Sequence, residues 1–235
     1  MNNFKAFQEL TKIHDGSIVF RDWLDYCIDQ FLINPDIHYF ARDKYNKKEY
    51  MLFFDLFTSW VTGMQEKINE GYEWFDLVGL FYEETVKSSS KSSNTGQFFT
   101  PHNVCDLMTS LTININGDGK GEHMYDCAGG SGRLCLSFHA RYPKALCFTH
   151  DLDEFACKMA VLNFLIHGVK GSVCRYNSLT GEFYEGWKVN EFPLTVMAVD
   201  SMVESMIFIG EDKVDLNKSI VRPNKKGQVV LEDYL

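Results

Sequence analysis

Seven consecutive residues, Asp126-Cys127-Ala128-Gly129-Gly130-Ser131-Gly132, hold the residue types that let a backbone close on a small ligand. Glycines permit close approach and positive φ angles, and a helix starting just beyond them aims unpaired N–H groups at the turn. A tight turn with no ligand also accounts for such a cluster. No Gly-Lys-Ser/Thr follows, which speaks against a phosphate loop, and Cys135 stands where a dinucleotide-binding turn would want a third glycine. Asp151 lies 19 residues beyond Gly132, at the end of a short apolar run. A carboxylate there can accept hydrogen bonds from both hydroxyls of a ribose. Asp153, just ahead of a helical stripe, suits a helix N-cap instead. His150 has no second cluster of ligands near it, so no metal site is expected. A third segment, Gly96-Gln97-Phe98-Phe99-Thr100-Pro101-His102, precedes a helix, and proline at an early helix position is ordinary start chemistry.

Holding these segments together requires strands and helices in alternation. Met124-Tyr125 opens a strand ending at Asp126, and residues 134–142 read as a helix. Residues 145–149 form a second strand, 154–167 a helix, 173–176 a third strand and 194–199 a fourth. This alternation predicts an α/β fold with a doubly wound, mostly parallel sheet, whose ligand crevice lies at the carboxyl ends of the strands. The first ninety residues differ. Trp23, Leu24, Cys27, Ile28, Phe31 and Leu32 recur at helical spacing until Asn34-Pro35 stops them. Leu52, Phe53, Leu56, Phe57, Trp60, Val61 and Met64 form a second stripe, and Trp74, Leu77, Val78, Phe81 and Tyr82 a third. Such aromatic stripes read as helix-bundle core. Residues 88–96, rich in serine, read as a flexible connector. The expected division is a helical N-terminal domain over 1–92 and an α/β ligand-binding domain over 93–235.

A chain of 235 residues, 45% hydrophobic with 5 prolines, has ample material for a core and is not disordered. Its net charge of −9 means that any contact with nucleic acid is local or shared with a partner. Seven cysteines, an odd number with no C-x-x-C pair, argue against a disulfide framework and a zinc knuckle, so a reducing cytoplasm is expected. No basic flank with a long apolar run opens the chain, and no apolar stretch approaches the ~20 residues that cross a bilayer, so neither secretion nor a membrane is expected.

The loop from Gly96 to Pro101 is followed, 25 residues after Pro101, by Asp126 and its glycine turn, then by Asp151. Ala160-Val161-Leu162-Asn163-Phe164-Leu165-Ile166-His167-Gly168 comes next. In order and spacing this resembles the adenine-specific (N-6) DNA methyltransferases that form the modification subunit of type I restriction systems. Their segments read G-x-F/Y-x-T-P, D-P-A-C/T-G-S-G, an acidic residue, then A-x-x-N-x-x-x-H-G. The resemblance covers about residues 95–179, and a helical domain ahead is usual in that family. It implies the S-adenosylmethionine-dependent methyltransferase fold, S-adenosylmethionine as methyl donor, DNA as substrate, and specificity or other restriction-modification subunits as partners. By resemblance, Thr100 and Pro101 would lie against the methionine end of the cofactor, with Phe99 in the same cofactor-binding loop. Asp126, Ala128, Gly129, Gly130, Ser131 and Gly132 would cradle it, and Asp151 would hold its ribose. Asn177 falls where the family has an aspartate contacting the adenine ring, and Asn still offers both donor and acceptor. Gly129 replaces the usual Cys or Thr, and Cys127 the usual Pro.

The family also places N-P-P-F/Y after the fourth strand. There the Asn side chain and a Pro carbonyl accept from the adenine amine and the aromatic ring stacks on the extruded base. No Asn-Pro-Pro occurs in this sequence. Asp200-Ser201-Met202-Val203 has the matching position after residues 194–199, which makes Asp200 the catalytic candidate. Val203 supplies no stacking ring, a contact worth ~1–3 kcal/mol per base. Asn190-Glu191-Phe192-Pro193 offers an Asn and an aromatic, but no apolar strand precedes it. The 35 residues after Asp200 are fewer than the remaining strands and a target-recognition domain would need. Within them, Lys218, Arg222, Lys225 and Lys226 read as a solvated loop ahead of a phosphate contact. Three functions stand: an S-adenosylmethionine-dependent adenine DNA methyltransferase, a catalytically degenerate cofactor-binding accessory module, and a methyltransferase for small molecules or proteins. The loop 96–101 speaks against the third.

Overall fold

The structure, a computed structural model, describes residues 4–87, 99–113 and 117–208, together with the backbone of two short strands near the end. The expected connector 88–96, the loop residues Gly96, Gln97 and Phe98, and the side chains of Lys218, Arg222, Lys225 and Lys226 lie outside the described residues.

Four α-helices come first: α1 (Lys5–Thr11), α2 (Gly16–Asp29), α3 (Lys47–Asn69) and α4 (Leu77–Tyr82). Local chemistry starts the two long ones. Asp15 accepts from the amides of Ser17 and Ile18 at the head of α2, and Asn46 and Glu49 form a reciprocal capping box on α3. Most of the stripes expected to be core are core: Phe20, Trp23, Leu24, Cys27 and Ile28 of α2 and Phe53, Leu56 and Trp60 of α3 are all buried, whereas Val61 of the second stripe is exposed. Trp23 and Trp60 pack edge to face at 6.4 Å, and Phe81 of α4 meets Trp23 at 5.5 Å. Contacts of this kind add about 0.5–1.5 kcal/mol each beyond area burial.

The alternating unit follows: α5 (His102–Thr112), β1 (His123–Asp126), α6 (Arg133–Arg141), β2 (Leu146–Asp151), α7 (Glu154–His167), β3 (Gly171–Asn177), β4 (Glu182–Val189), β5 (Val196–Val199) and α8 (Met202–Ser205). A separate antiparallel pair, β6 (Val221–Pro223) and β7 (Val229–Leu231), closes the described backbone. The main sheet has the order β1-β2-β3-β4-β5. β1, β2 and β3 are parallel, while β4 runs antiparallel to both β3 and β5. The α/β alternation expected from the sequence is therefore present, but the winding differs. A doubly wound sheet reverses its strand order beside the first strand; here neighbours follow chain order and β1 is an edge.

The cause is β4, which the sequence reading missed. Gly181, at φ +78°, turns the chain back after β3, so β4 takes the place beside it and β5 is carried one strand further out. Gly186 inside β4 weakens the strand signal, yet it is required: a Cβ there would come within 2.9 Å of Cys174 Sγ and 3.0 Å of Val199.

α7 is the central helix, with residues 156–165 buried on every side. Asp153 caps it by accepting from Ala156 N at 2.8 Å, as expected, and Gly168 ends it at φ +72°. α2 packs along it, with Phe20 6.0 Å from Phe155. The chain after α2 also bonds to the far edge of the sheet: Ile33 donates to Val196 O at 3.1 Å, and Val196 to Phe31 O at 2.8 Å. The main hydrophobic core thus runs from the first helices to the sheet, with a small separate cluster of Leu146, Phe148 and Phe208.

Candidate functional site

β1 ends at Asp126 and the chain turns through the glycines into α6. Gly130 (φ +56°) and Gly132 (φ +86°) adopt left-handed backbone, which glycine tolerates best. Space is equally restrictive. A Cβ on Gly129 would overlap Thr149 Oγ1, and one on Gly130 would sit 2.9 Å from the Phe99 ring. Backbone bonds fasten the turn to β2: Gly129 donates to His150 O at 2.9 Å and Gly130 to Asp151 Oδ2 at 2.9 Å.

A cavity of about 180 Å³ opens here. Seven of the residues expected to bind a cofactor line it: Phe99, Thr100, Asp126, Ala128, Gly129, Gly130 and Ser131. Pro101 stands at the head of α5, Gly132 at the head of α6, and Asp151 reaches the turn through Gly130. Asn177 is set differently. Its Oδ1 accepts from Leu179 N and Thr180 N at 3.1 and 3.2 Å and closes a local turn. Its neighbour Ser178 donates to Cys127 O at 2.9 Å, so the end of β3 abuts the glycine turn. Burial pushes the Asp126 carboxyl above the usual range, partly offset by the Ala128 amide that it accepts from.

Asp200 is set apart from the turn. It follows β5, four strands from β1, which at about 4.8 Å per strand is on the order of 19 Å from the glycine turn. Its amide donates to Glu204 Oε2 at 3.0 Å, in an exposed position. β5, which ends just before it, pairs with β4. Asn190, the alternative, is structural. It sits at φ 56° between β4 and β5, and its Nδ2 donates to Phe164 O at 2.9 Å and Val169 O at 3.0 Å, where α7 ends.

Two side chains at the candidate site escaped the reading of the sequence. Arg133 lines the cavity, and its guanidinium lies 5.0 Å from the centre of the Phe99 ring. It donates to Asp76 Oδ2 at 2.6 Å, Glu83 Oε2 at 3.0 Å and Thr100 O at 3.4 Å. Asp76, fully buried ahead of α4, also accepts from Ser131 Oγ at 2.6 Å and Asn163 Nδ2 at 2.7 Å. Asn163 donates to Ser131 O at 2.9 Å as well. His167 receives the amide of Phe75 on Nε2 at 3.2 Å, while its Nδ1 faces Asn163 O at 2.7 Å. Accepting on one nitrogen and donating from the other, the ring is neutral, and burial lowers its pKa. The Asn and His of the helix motif therefore fasten residues 75–76 to the turn. The only signal in the sequence was an aspartate ahead of an apolar run, which marks a cap and names no partner.

His150 is not among the residues that line the cavity. It bonds the Tyr125 hydroxyl through Nδ1 at 2.8 Å, packs edge to face on Tyr176, and is pushed down to about 4 by burial. Among the described residues no group of three His, Cys, Asp or Glu side chains is placed to hold a metal, and no helix is long and apolar enough to cross a membrane.

A family model described as N-6 DNA Methylase matches residues 74–203, more than half of the chain. Searches of curated proteins and of solved structures return no match. The matched stretch begins at Trp74, two residues before the buried aspartate, and ends just beyond β5.

Proposed function

We propose, on the premise that this chain belongs to the N-6 DNA methylase family, that it binds S-adenosylmethionine at the turn 126–132 and serves methylation of adenine in DNA. The observation that carries the reading is the turn itself, where glycines at 129 and 130 leave room that a Cβ would fill and both flanking strands end in a carboxylate. The donor set fits the ligand. Asp126 and Asp151 suit an ammonium, a sulfonium and ribose hydroxyls better than a phosphate, and Arg133 is already matched by Asp76 and Glu83.

Bound S-adenosylmethionine supplies a methyl group on a sulfonium, a carbon already electrophilic without acid–base help. The work left to the protein is alignment and exclusion of water. In this reading Asp151 accepts from the ribose hydroxyls, Asp126 faces the cationic part of the ligand, and Phe99 with Thr100 walls the opposite side. Asn177 stands toward the adenine end. A DNA substrate would present its target base extruded from the duplex. The type I context, with specificity or other restriction-modification subunits as partners and a cytoplasmic location, belongs to the same proposal.

One observation favours a second reading, a cofactor-binding module that transfers no methyl group. No Asn-Pro-Pro-aromatic segment occurs in the sequence, and Asp200 lies four strands from the turn. Titration calorimetry of the full chain with S-adenosylmethionine tests the shared premise, and heat with a single saturable site is expected. No heat from folded protein overturns it. Transfer of tritiated methyl to plasmid DNA, alone and with partner subunits added, then separates the two readings.

A further inference from the structure

The Asp76 carboxylate is fully buried and receives four donors. Oδ1 accepts from Gly79 N and Asn163 Nδ2, both at 2.7 Å, and Oδ2 from Ser131 Oγ and Arg133 Nε, both at 2.6 Å. A carboxylate offers about four acceptor sites, so its capacity is full and its orientation fixed. The fold reserves the space: a Cβ on Gly79 would overlap this carboxylate. Two of the donors belong to the candidate pocket. Ser131 lies in the glycine turn, and Arg133 carries the opposite wall, bonding Thr100 O and covering the Phe99 ring.

We infer that Asp76 is a positioning residue for the cofactor pocket, holding the turn through Ser131 and the loop of Phe99 and Thr100 through Arg133, and offsetting the guanidinium charge at the rim. This rests on the proposed reading of the turn as the S-adenosylmethionine site. Asp76 touches no ligand and acts only through its partners. Without its charge, Arg133 retains, among the described residues, only Glu83, a half-buried carboxylate, as counter-ion. The pocket would then attract a sulfonium less strongly. S-adenosylhomocysteine lacks that sulfonium charge and is otherwise close in shape, so the two ligands separate charge from packing.

The test compares the full-length protein with Asp76→Asn, which keeps the volume and removes the charge, and with Ser131→Ala, which keeps the charge and removes one contact. In Asp76→Asn, amide hydrogen exchange at residues 129–133 is expected to accelerate about tenfold or more while α3 keeps its protection. S-adenosylmethionine is expected to bind about tenfold more weakly and S-adenosylhomocysteine no more than about threefold. Ser131→Ala is expected to loosen the same amides and to weaken both ligands equally. Unchanged exchange at the turn in Asp76→Asn, or equal weakening of both ligands by it, overturns the inference. If the unaltered protein binds neither ligand, the cofactor reading fails, and the exchange data alone decide on Asp76. If Asp76→Asn does not fold, Ser131→Ala decides: turn amides exchanging at the original rate overturn the role.

Discussion

Gly130 donates its backbone N–H to Oδ2 of Asp151 across 2.9 Å, so the carboxylate assigned to a ribose is also a strut of the turn. Its other oxygen accepts from Asp153 N, also at 2.9 Å. With about four acceptor sites on a carboxylate, room for a ribose hydroxyl remains. Asp151→Ala removes both roles. It is expected to weaken S-adenosylmethionine by about 10- to 100-fold and to lower stability by ~1–3 kcal/mol. Asp151→Asn, with one acceptor oxygen left, should fall between. Calorimetric titration beside thermal unfolding checks this, and full affinity in folded Asp151→Ala would remove the ribose role.

Gly129 faces Thr149 Oγ1, a buried hydroxyl that has no hydrogen-bond partner among the described residues. Gly129→Ala is therefore expected to cost about 1–3 kcal/mol through overpacking. Adding Thr149→Ala removes the obstructing oxygen at little loss, so the double variant should recover more than half of that cost. Denaturant midpoints of the four proteins measure the coupling. Additive losses would show that the clash is not with Thr149.

What the sequence disclosed and what it hid follow one division. α7 was legible to the residue, because Asp153 and Gly168 bound it by chemistry within a few positions of its ends. The turn 126–132 was legible because it belongs to one strand–helix unit, whereas the bond from Gly130 to Asp151 emerged only from the fold. The place of Asp200 was not. It depends on the course of β4, whose interior Gly186 makes sense only beside Cys174 and Val199 in neighbouring strands. Asp76 was hidden for the same reason: its partners Ser131, Arg133 and Asn163 lie 55 to 87 residues away.

His150 imposes a pH dependence. Burial holds it neutral down to about 4, whereas in the unfolded chain it protonates near 6.5. Between those values the unfolded state binds more protons, so stability falls as pH drops through this window, by at most about 3 kcal/mol. Asp25 works in the opposite sense. Burial raises it to about 6 despite Lys158, so its protonation favours the folded state over part of the same range. His150→Phe should delete the first effect, leaving stability between pH 6.5 and 4 less acid-sensitive than in the parent. Urea midpoints across that range check this, and an unchanged slope would show that His150 is protonated in the folded protein.

Asn190 provides a control on the acceptor side. Its amide closes the end of α7 by bonding Phe164 O and Val169 O, and its φ of 56° suits Asn among non-glycine residues. Asn190→Ala is expected to cost about 3 kcal/mol, or about 6–12 °C in melting temperature, with cofactor affinity unchanged. Asn190→Gly, which keeps the backbone conformation, should lose less. Loss of methyl transfer without a drop in melting temperature would instead identify Asn190 as a base-holding residue.

The rung from Phe31 and Ile33 onto Val196, together with the helix laid along α7, governs how the molecule can be cut. A recombinant fragment trimmed to the matched stretch would begin at residue 74. It would strip Phe20 from Phe155 and Asp25 from Lys158, and leave β5 without its outer neighbour. Such a piece would carry a bare greasy flank and be prone to precipitate. The leading helices act as a wrapper for the sheet-bearing half, and moving either part alone into another gene would expose that shared face.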